Sequence, residues 1–286
     1  MKYGVYLPNF GPDVDELVSL ACDAEASGWD GFFLWDHVTG FDQPMADPWV
    51  TLGAIAVRTQ KMRIGTTVTP LPRRRPWKLA RETVSVDRLS GGRLILGVGI
   101  GGGQAEWDRL GEETDLRARG AMLDEALEVV TELWTEEPVT HHGDVYDVVD
   151  ARFRPGPIQG PRIPIWVGGF WPNKPPFRRA ARWDGVFPLF RNADSLEEEV
   201  KQMQEMVMFI QDHREDERPF DVVALGATLP SEPALSQERI QRYAEVGATW
   251  WFESIAPFRF DQGLDGPWPT ARLRERIQAG PPNRWG

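Results

Sequence analysis

Apolar residues recur along this chain in two alternating rhythms. Short runs with strand character cover Tyr3–Leu7, Gly31–Trp35, Met62–Thr67, Arg93–Val98, Ile163–Val167, Gly185–Pro188, Asp221–Leu225 and Thr249–Glu253. Between and after them lie helical patterns over Asp13–Ser27, Pro48–Thr59, Trp77–Leu89, Leu116–Thr135, Lys174–Arg182, Ser195–Arg214, Ser236–Val246 and Thr270–Ala279. In the fourth, Leu123, Leu127, Val130, Leu133 and Trp134 are spaced to line one helix face. The first has Asp13 or Asp15 near its start as a cap and reaches Gly28, where a chain turns back. Eight strands alternating with eight helices predict one (β/α)₈ barrel spanning residues 1–286, with the helices wrapped around a closed parallel sheet.

Two segments interrupt the alternation. Pro138 to Pro161, with His141, His142, Gly143 and the apolar–polar alternation of Val145 to Asp150, predicts a hairpin inserted between the fourth helix and the fifth strand. The stretch Gly168-Gly169-Phe170-Trp171-Pro172-Asn173-Lys174-Pro175-Pro176 is rich in Gly and Pro and predicts an irregular, functional loop after the fifth strand.

Charge and composition narrow the classes. The formal charge of −11, from 43 acidic and 32 basic residues, argues against a nonspecific grip on nucleic acid. No apolar run reaches the ~20 residues that a membrane helix needs. The lone Cys22 cannot build a disulfide framework or a cysteine metal site, and the start at Lys2-Tyr3-Gly4-Val5-Tyr6-Leu7 reads as a first strand, not a signal peptide, so a cytoplasmic location is expected. Thirteen Trp residues supply packing between helices and strands and candidate walls for a pocket.

A barrel of this kind carries its chemistry at the C-terminal ends of the strands. Asn9 and Phe10 follow the first strand, Asp36 and His37 the second, Thr66, Thr67 and Thr69 the third, Gly99 to Gly103 and Glu106 the fourth, and Gly168, Gly169 and Trp171 the fifth. Glu253 and Ser254 lie at the eighth. His37 is the one histidine at such a position, where an imidazole can donate to a bound ring or shuttle a proton near neutral pH. His141 and His142 are adjacent on a strand, face opposite ways and do not readily chelate one ion, so no metal site is expected. Glu106 and Asp108 form no recognisable acid pair with neighbours in sequence. Arg73-Arg74-Arg75 reads as a solvated turn or a receiver for an anionic tail. Gly99-Ile100-Gly101-Gly102-Gly103 is a weak dinucleotide signal, since it follows the fourth strand rather than the first. Gly168-Gly169 offers backbone N–H groups to a phosphate.

In order along the chain, Tyr3 to Pro8, Gly31 to His37, Arg63 to Pro70, Asp87-Arg88-Leu89-Ser90-Gly91-Gly92-Arg93, Gly97-Val98-Gly99 and Pro164 to Gly169 resemble the bacterial luciferase-like flavin and deazaflavin oxidoreductases. The resemblance implies a (β/α)₈ barrel holding FMN or coenzyme F420 in its C-terminal mouth. His37 matches the position facing the isoalloxazine-type ring. Thr66 and Thr67 match the bulge behind that ring, where members often have a non-proline cis peptide. Gly168 and Gly169 match the phosphate turn. Cofactor contacts are expected from Asn9, Asp36, Thr66, Thr67, Gly99, Ile100, Gly101, Gly168 and Gly169, and a substrate wall from Phe10, Phe41, Trp107, Trp171 and Phe190.

Two departures stand out. The carboxylate that some deazaflavin dehydrogenases carry at the position aligned with Gly102 is missing, and so is the phosphate-binding arginine of some FMN enzymes at Ile100. The second favours F420 over FMN. The resemblance implies hydride transfer or O₂ activation on a small, apolar or aromatic organic substrate, with a homodimer and a separate reductase as expected partners. Two other readings stay open: a flavin-binding barrel without turnover, and a hydrolase using His37, Asp36 and a metal.

Overall fold

The structure, a computed structural model, describes residues 1–191, 193–260 and 262–285. Its strands are β1 (Lys2–Leu7), β2 (Gly31–Leu34), β3 (Arg63–Thr66), β4 (Thr69–Pro70), β5 (Leu94–Gly99), β6 (Pro138–His142), β7 (Asp147–Arg152), β8 (Ile165–Trp171), β9 (Gly185–Phe190), β10 (Asp221–Gly226) and β11 (Trp250–Ser254). Parallel pairing runs from β3 through β2, β1, β11, β10, β9 and β8 to β5, and β3 pairs with β5 to close the ring. Eight positions around the ring make the barrel, with β4 continuing the third position beyond a break at Thr67 and Val68. The separate pair β6–β7 is the antiparallel hairpin expected from the sequence.

The helices are α1 (Val14–Ala26), α2 (Pro48–Arg58), α3 (Pro76–Leu89), α4 (Gln104–Leu110), α5 (Leu116–Leu133), α6 (Lys174–Ala180), α7 (Leu196–His213), α8 (Pro233–Glu245) and α9 (Thr270–Gln278). Side-chain caps at Asp13, Asp47, Asp115 and Ser195 meet orphan amides at four helix starts. Eight of these helices match the expected ones. The extra element is α4, whose seven residues bury only Glu106 and Trp107 and so leave no helical period to read.

Strand alternation sorts the core into two parts. Val5, Leu7, Phe32, Leu34, Leu94 and Leu96 point outward into the main cluster beneath the helices. Tyr6, Phe33, Ile95, Trp166, Phe187, Val223, Trp250 and Phe252 point inward and pack against one another. Phe33 stacks on Trp166 at a centroid distance of 5.4 Å and lies 4.5 Å from Phe252, so the lower interior is filled by side chains.

The Ser90-Gly91-Gly92-Arg93 turn is a structural clip. The Arg93 guanidinium is buried and donates to Ala56 O and Thr59 O (both 2.9 Å), Met62 O (2.7 Å), Thr59 Oγ1 (2.9 Å) and Ser90 O (2.7 Å). It thereby satisfies carbonyls where α2 ends and β3 begins.

The expected loop at Gly168–Pro176 is corrected by the structure. Gly168 to Trp171 continue β8 against β9, and α6 begins at Lys174. The glycines serve close packing: a Cβ on Gly168 would stand 2.7 Å from Val68 Cγ1, and one on Gly169 2.4 Å from Pro176 Cβ. Pro175 and Pro176 occupy the first turn of α6, where backbone N–H groups have no intrahelical partner to lose. Among the described residues, no helix is long and apolar enough to cross a membrane.

Candidate active site at the barrel mouth

The floor of the mouth is the break between β3 and β4. The Thr67–Val68 peptide is cis, and Val68 is half-buried. Its methyl groups fill the space that Cβ atoms on Gly99 and Gly168 would occupy, each at 2.7 Å. Thr66 Oγ1 donates to Gly97 O (3.1 Å) and accepts from Thr69 Oγ1 (3.0 Å), which fixes the bulge from behind. Thr67 Oγ1 is buried with no partner among the described residues. A flat floor flanked by glycines and an orphaned hydroxyl fit a planar ring that supplies a hydrogen-bonding edge.

His37 lies on the loop after β2, at the same end of the barrel as this floor. Asn9 is fully buried and staples that loop: its Oδ1 accepts from His37 N (3.1 Å), and its Nδ2 donates to His37 O (2.8 Å) and Ala46 O (2.7 Å). The imidazole sits in an aromatic collar, with Phe41 at 5.4 Å, Trp35 at 5.8 Å and Phe10 at 6.1 Å. Phe10 and Phe41 stack at 4.0 Å.

Glu106, in the first turn of α4, closes the group from the other side. Its Oε2 lies 3.1 Å from His37 Nδ1, while Oε1 accepts from Val38 N (2.6 Å) and Thr39 N (3.2 Å). Arg73 Nη1 is 3.1 Å from Oε1, an ion pair whose angle falls short of a hydrogen bond. Burial by itself raises the Glu106 carboxyl, but the bond from His37, the Val38 amide and the Arg73 charge together hold it at about 2. An ionised Glu106 keeps the proton on Nδ1 and leaves Nε2 without a partner among the described residues.

The sequence places Glu106 after the fourth strand but gives no sign that it meets His37. A carboxylate stands four residues beyond Gly102, in the short helix that periodicity could not reveal.

The other candidates fall into groups. Asp36 is buried and spends its carboxylate on Arg74 (2.9 Å to each oxygen) and Arg73 (3.3 Å), with Arg73 also donating to Asp36 O at 2.6 Å. Gly99, Ile100 and Gly101 carry the chain from β5 over the mouth towards α4, with Ile100 O accepting from Arg119 at 3.4 Å. Trp107 is buried under Gly101, donates to Gly102 O (3.1 Å) and lies between Arg119 and Arg73. The structure does not bring Trp171 and Phe190 to the mouth. Both take the outward phase of their strands, Trp171 against Phe177 and Phe209 beneath Lys174, and Phe190 against the main core. Gly169 shares that outward phase, whereas Gly168 faces inward. The half-buried residues above the sealed interior are Val68 together with Trp35, Leu189 and Leu225, and counting by twos from Phe33, Phe187 and Val223 finds the last three. Grooves of about 260 Å³ near Val207–Gly247 and about 250 Å³ between the hairpin and Trp77 lie apart from these residues.

On the hairpin, His141 meets Glu125 and His142 meets Asp147, so each imidazole has its own carboxylate. Among the described residues, no three His, Cys, Asp or Glu side chains are grouped to hold a metal.

The sequence profile of the luciferase-like monooxygenases matches residues 1–277. The chain belongs to this family. Among curated relatives of this family member, an F420-dependent glucose-6-phosphate dehydrogenase of Microbacterium testaceum is 37% identical over 57% of the chain and 48% of the relative. The oxygenase component of a flavin-dependent trigonelline monooxygenase from Acinetobacter baylyi is 28% identical over 57% of the chain and 45% of its own length. The luciferase-like chain thus spans about half the length of the curated relatives it matches. The coenzyme F420-dependent tetrahydromethanopterin reductase of Methanopyrus kandleri shares the fold, with a TM-score of 0.74, 17% identity and 98% of both chains covered.

Glu106 gives a prediction with a definite sign. A carboxyl lowered from 4.5 to about 2 contributes stability that is present above its ordinary value and is lost as pH falls towards 2. Glu106→Gln should remove that acid-side difference in melting temperature and lower kcat roughly 10²-fold through a misheld imidazole. An unchanged kcat in the variant would contradict the orienting role.

Proposed function

We propose that this protein is a flavin-type oxidoreductase acting on a small organic substrate, with F420 favoured over FMN. One observation carries the reading: the His37–Glu106 pair and the floor made by Val68, Gly99 and Gly168 lie at the same end of the barrel, beyond the C-terminal ends of β2, β3 and β5. The bound ring would supply two-electron redox chemistry that side chains lack. Val68 and the flanking glycines would seat it, Thr67 Oγ1 would hydrogen-bond its edge, and the backbone at Gly168 and Gly169 would meet its phosphate. His37 Nε2 would move the substrate proton while Glu106 fixes the tautomer, and Phe10, Phe41 and Trp35 would exclude water around the imidazole.

The names of the relatives support both cofactor chemistries, and the absence of an arginine at Ile100 supports F420. With FMN, a separate reductase would supply the reduced ring, in keeping with a relative that is itself an oxygenase component. Two copies would pair through α2, whose outer face of Val50, Gly53, Ala54 and Val57 carries no charge, and sedimentation reads that state directly. The single cysteine supports a cytoplasmic location.

The test separates enzyme from carrier. Protein loaded with F420 should bleach it when given an alcohol from a panel, or protein given reduced FMN and O₂ should oxygenate a member of a ketone panel. A saturably bound ring that turns over in neither arm would sink the enzymatic reading and leave the carrier.

A further inference from the structure

The barrel interior is sealed low and open high. Phe33, Trp166, Trp250 and Phe252 are fully buried, whereas Trp35, Leu189 and Leu225 above them are half-buried. On this upper rung three polar groups have no partner among the described residues. Ser254 follows Trp250 and Phe252 in the inward phase of β11 and is 5% exposed, yet its Oγ has no hydrogen bond. Trp35 Nε1 is buried and equally unpaired. Tyr6 is the register partner of Ser254, and its ring lies 5.3 Å from Trp35. No described residue bonds its hydroxyl, and burial pushes the phenol above its ordinary value, so it stays protonated.

Buried polar atoms left unmet are costly, and two of them, Ser254 Oγ and Trp35 Nε1, beside the Tyr6 hydroxyl on one otherwise apolar rung call for a ligand that meets them. We propose that the upper interior of the barrel is a subsite for the hydroxyl or carbonyl oxygen of an uncharged organic substrate, read by Ser254 Oγ, Trp35 Nε1 and the Tyr6 hydroxyl. The inference rests on the oxidoreductase reading and goes beyond it by excluding anionic substrates. An indole N–H only donates, and the hydroxyls donate or accept, so together they suit one neutral oxygen. The inward cluster carries no charge. The nearby guanidiniums are spent elsewhere: Arg73 and Arg74 on Asp36 and Glu106, and Arg259 on Glu253. Arg191 lies over the Phe170 ring, two residues beyond Gly168, on the side where the ring phosphate would sit. A substrate phosphate would enter this rung with no cation to meet it.

The test uses oxidised F420, the full chain, and cyclohexanone and glucose 6-phosphate as probes, with the visible spectrum of the bound ring as readout. A shift on adding F420 alone checks the underlying reading independently of the probes. Cyclohexanone should then perturb the spectrum further, glucose 6-phosphate should not, and Ser254→Ala and Trp35→Phe should each weaken cyclohexanone about tenfold, as expected for one lost hydrogen bond. Ser254→Thr, which keeps the hydroxyl, should restore most of that loss while the Ser254 variants bind F420 equally. Tighter binding of glucose 6-phosphate than cyclohexanone, or variants indistinguishable from the parent, would overturn the subsite with the oxidoreductase reading intact. Absence of any shift with F420 and, in a parallel titration, with FMN would overturn both.

Discussion

Replacing His37 with alanine is expected to lower kcat about 10²- to 10⁴-fold while ring affinity changes only a few-fold. In the proposed complex the imidazole would meet the ring through Nε2, the nitrogen that Glu106 leaves open, whereas the seat of Val68, Gly99 and Gly168 would not depend on it. Asn9 holds the His37 backbone and would keep the loop in place in the variant. Steady-state kinetics beside a spectral titration separates the two effects. Loss of ring binding with unchanged turnover per bound ring would assign His37 to the seat instead.

The largest effect on stability is expected at Glu253. This carboxylate is fully buried at the end of β11 and accepts from Thr228 N (2.8 Å), Thr228 Oγ1 (2.7 Å), Trp251 Nε1 (3.0 Å) and Arg259 Nη1 (2.5 Å), with Arg276 Nη2 at 3.2 Å. Arg259 and Arg276 are each 4% exposed, so Glu253→Ala strands two guanidiniums away from water. Removing one partner of a buried pair typically costs about 3–5 kcal/mol, and here two cations lose the same partner. Urea denaturation should show a fall of that size. Glu253→Leu combined with Arg276→Met should recover part of it, since fewer charges then stay unpaired. A loss below about 1 kcal/mol would show that the network is not a support of the last strand and α9.

Much of the fold was legible because its signals are local. Strand runs and helical periods such as Leu123–Leu127–Val130 report burial directly, and eight alternations leave the barrel as the economical closure. The hairpin announced itself through Gly143 and the alternation after it. What stayed hidden depended on neighbours far along the chain. Gly168 and Gly169 suggest a loop until Val68 and Pro176 are seen pressed against them. Trp171 and Phe190 were drawn to the pocket by their aromatic character, although their phase sends them outward and brings Leu189 inward. Glu106 reaches His37 across 69 residues from a helix of seven, a contact that no spacing rule foretells. The site residues that were legible sit at strand ends, where barrel geometry names the place in advance.

The central claim is that a flavin-type ring lies on the floor made by Val68, Gly99 and Gly168, beside His37. Titration of the protein with F420 and, separately, with FMN, followed by the visible spectrum of the ring, tests it most directly. The account predicts a saturable perturbation with at least one of them, tighter for F420 and retained in His37→Ala. A folded protein that leaves both spectra unperturbed would contradict it.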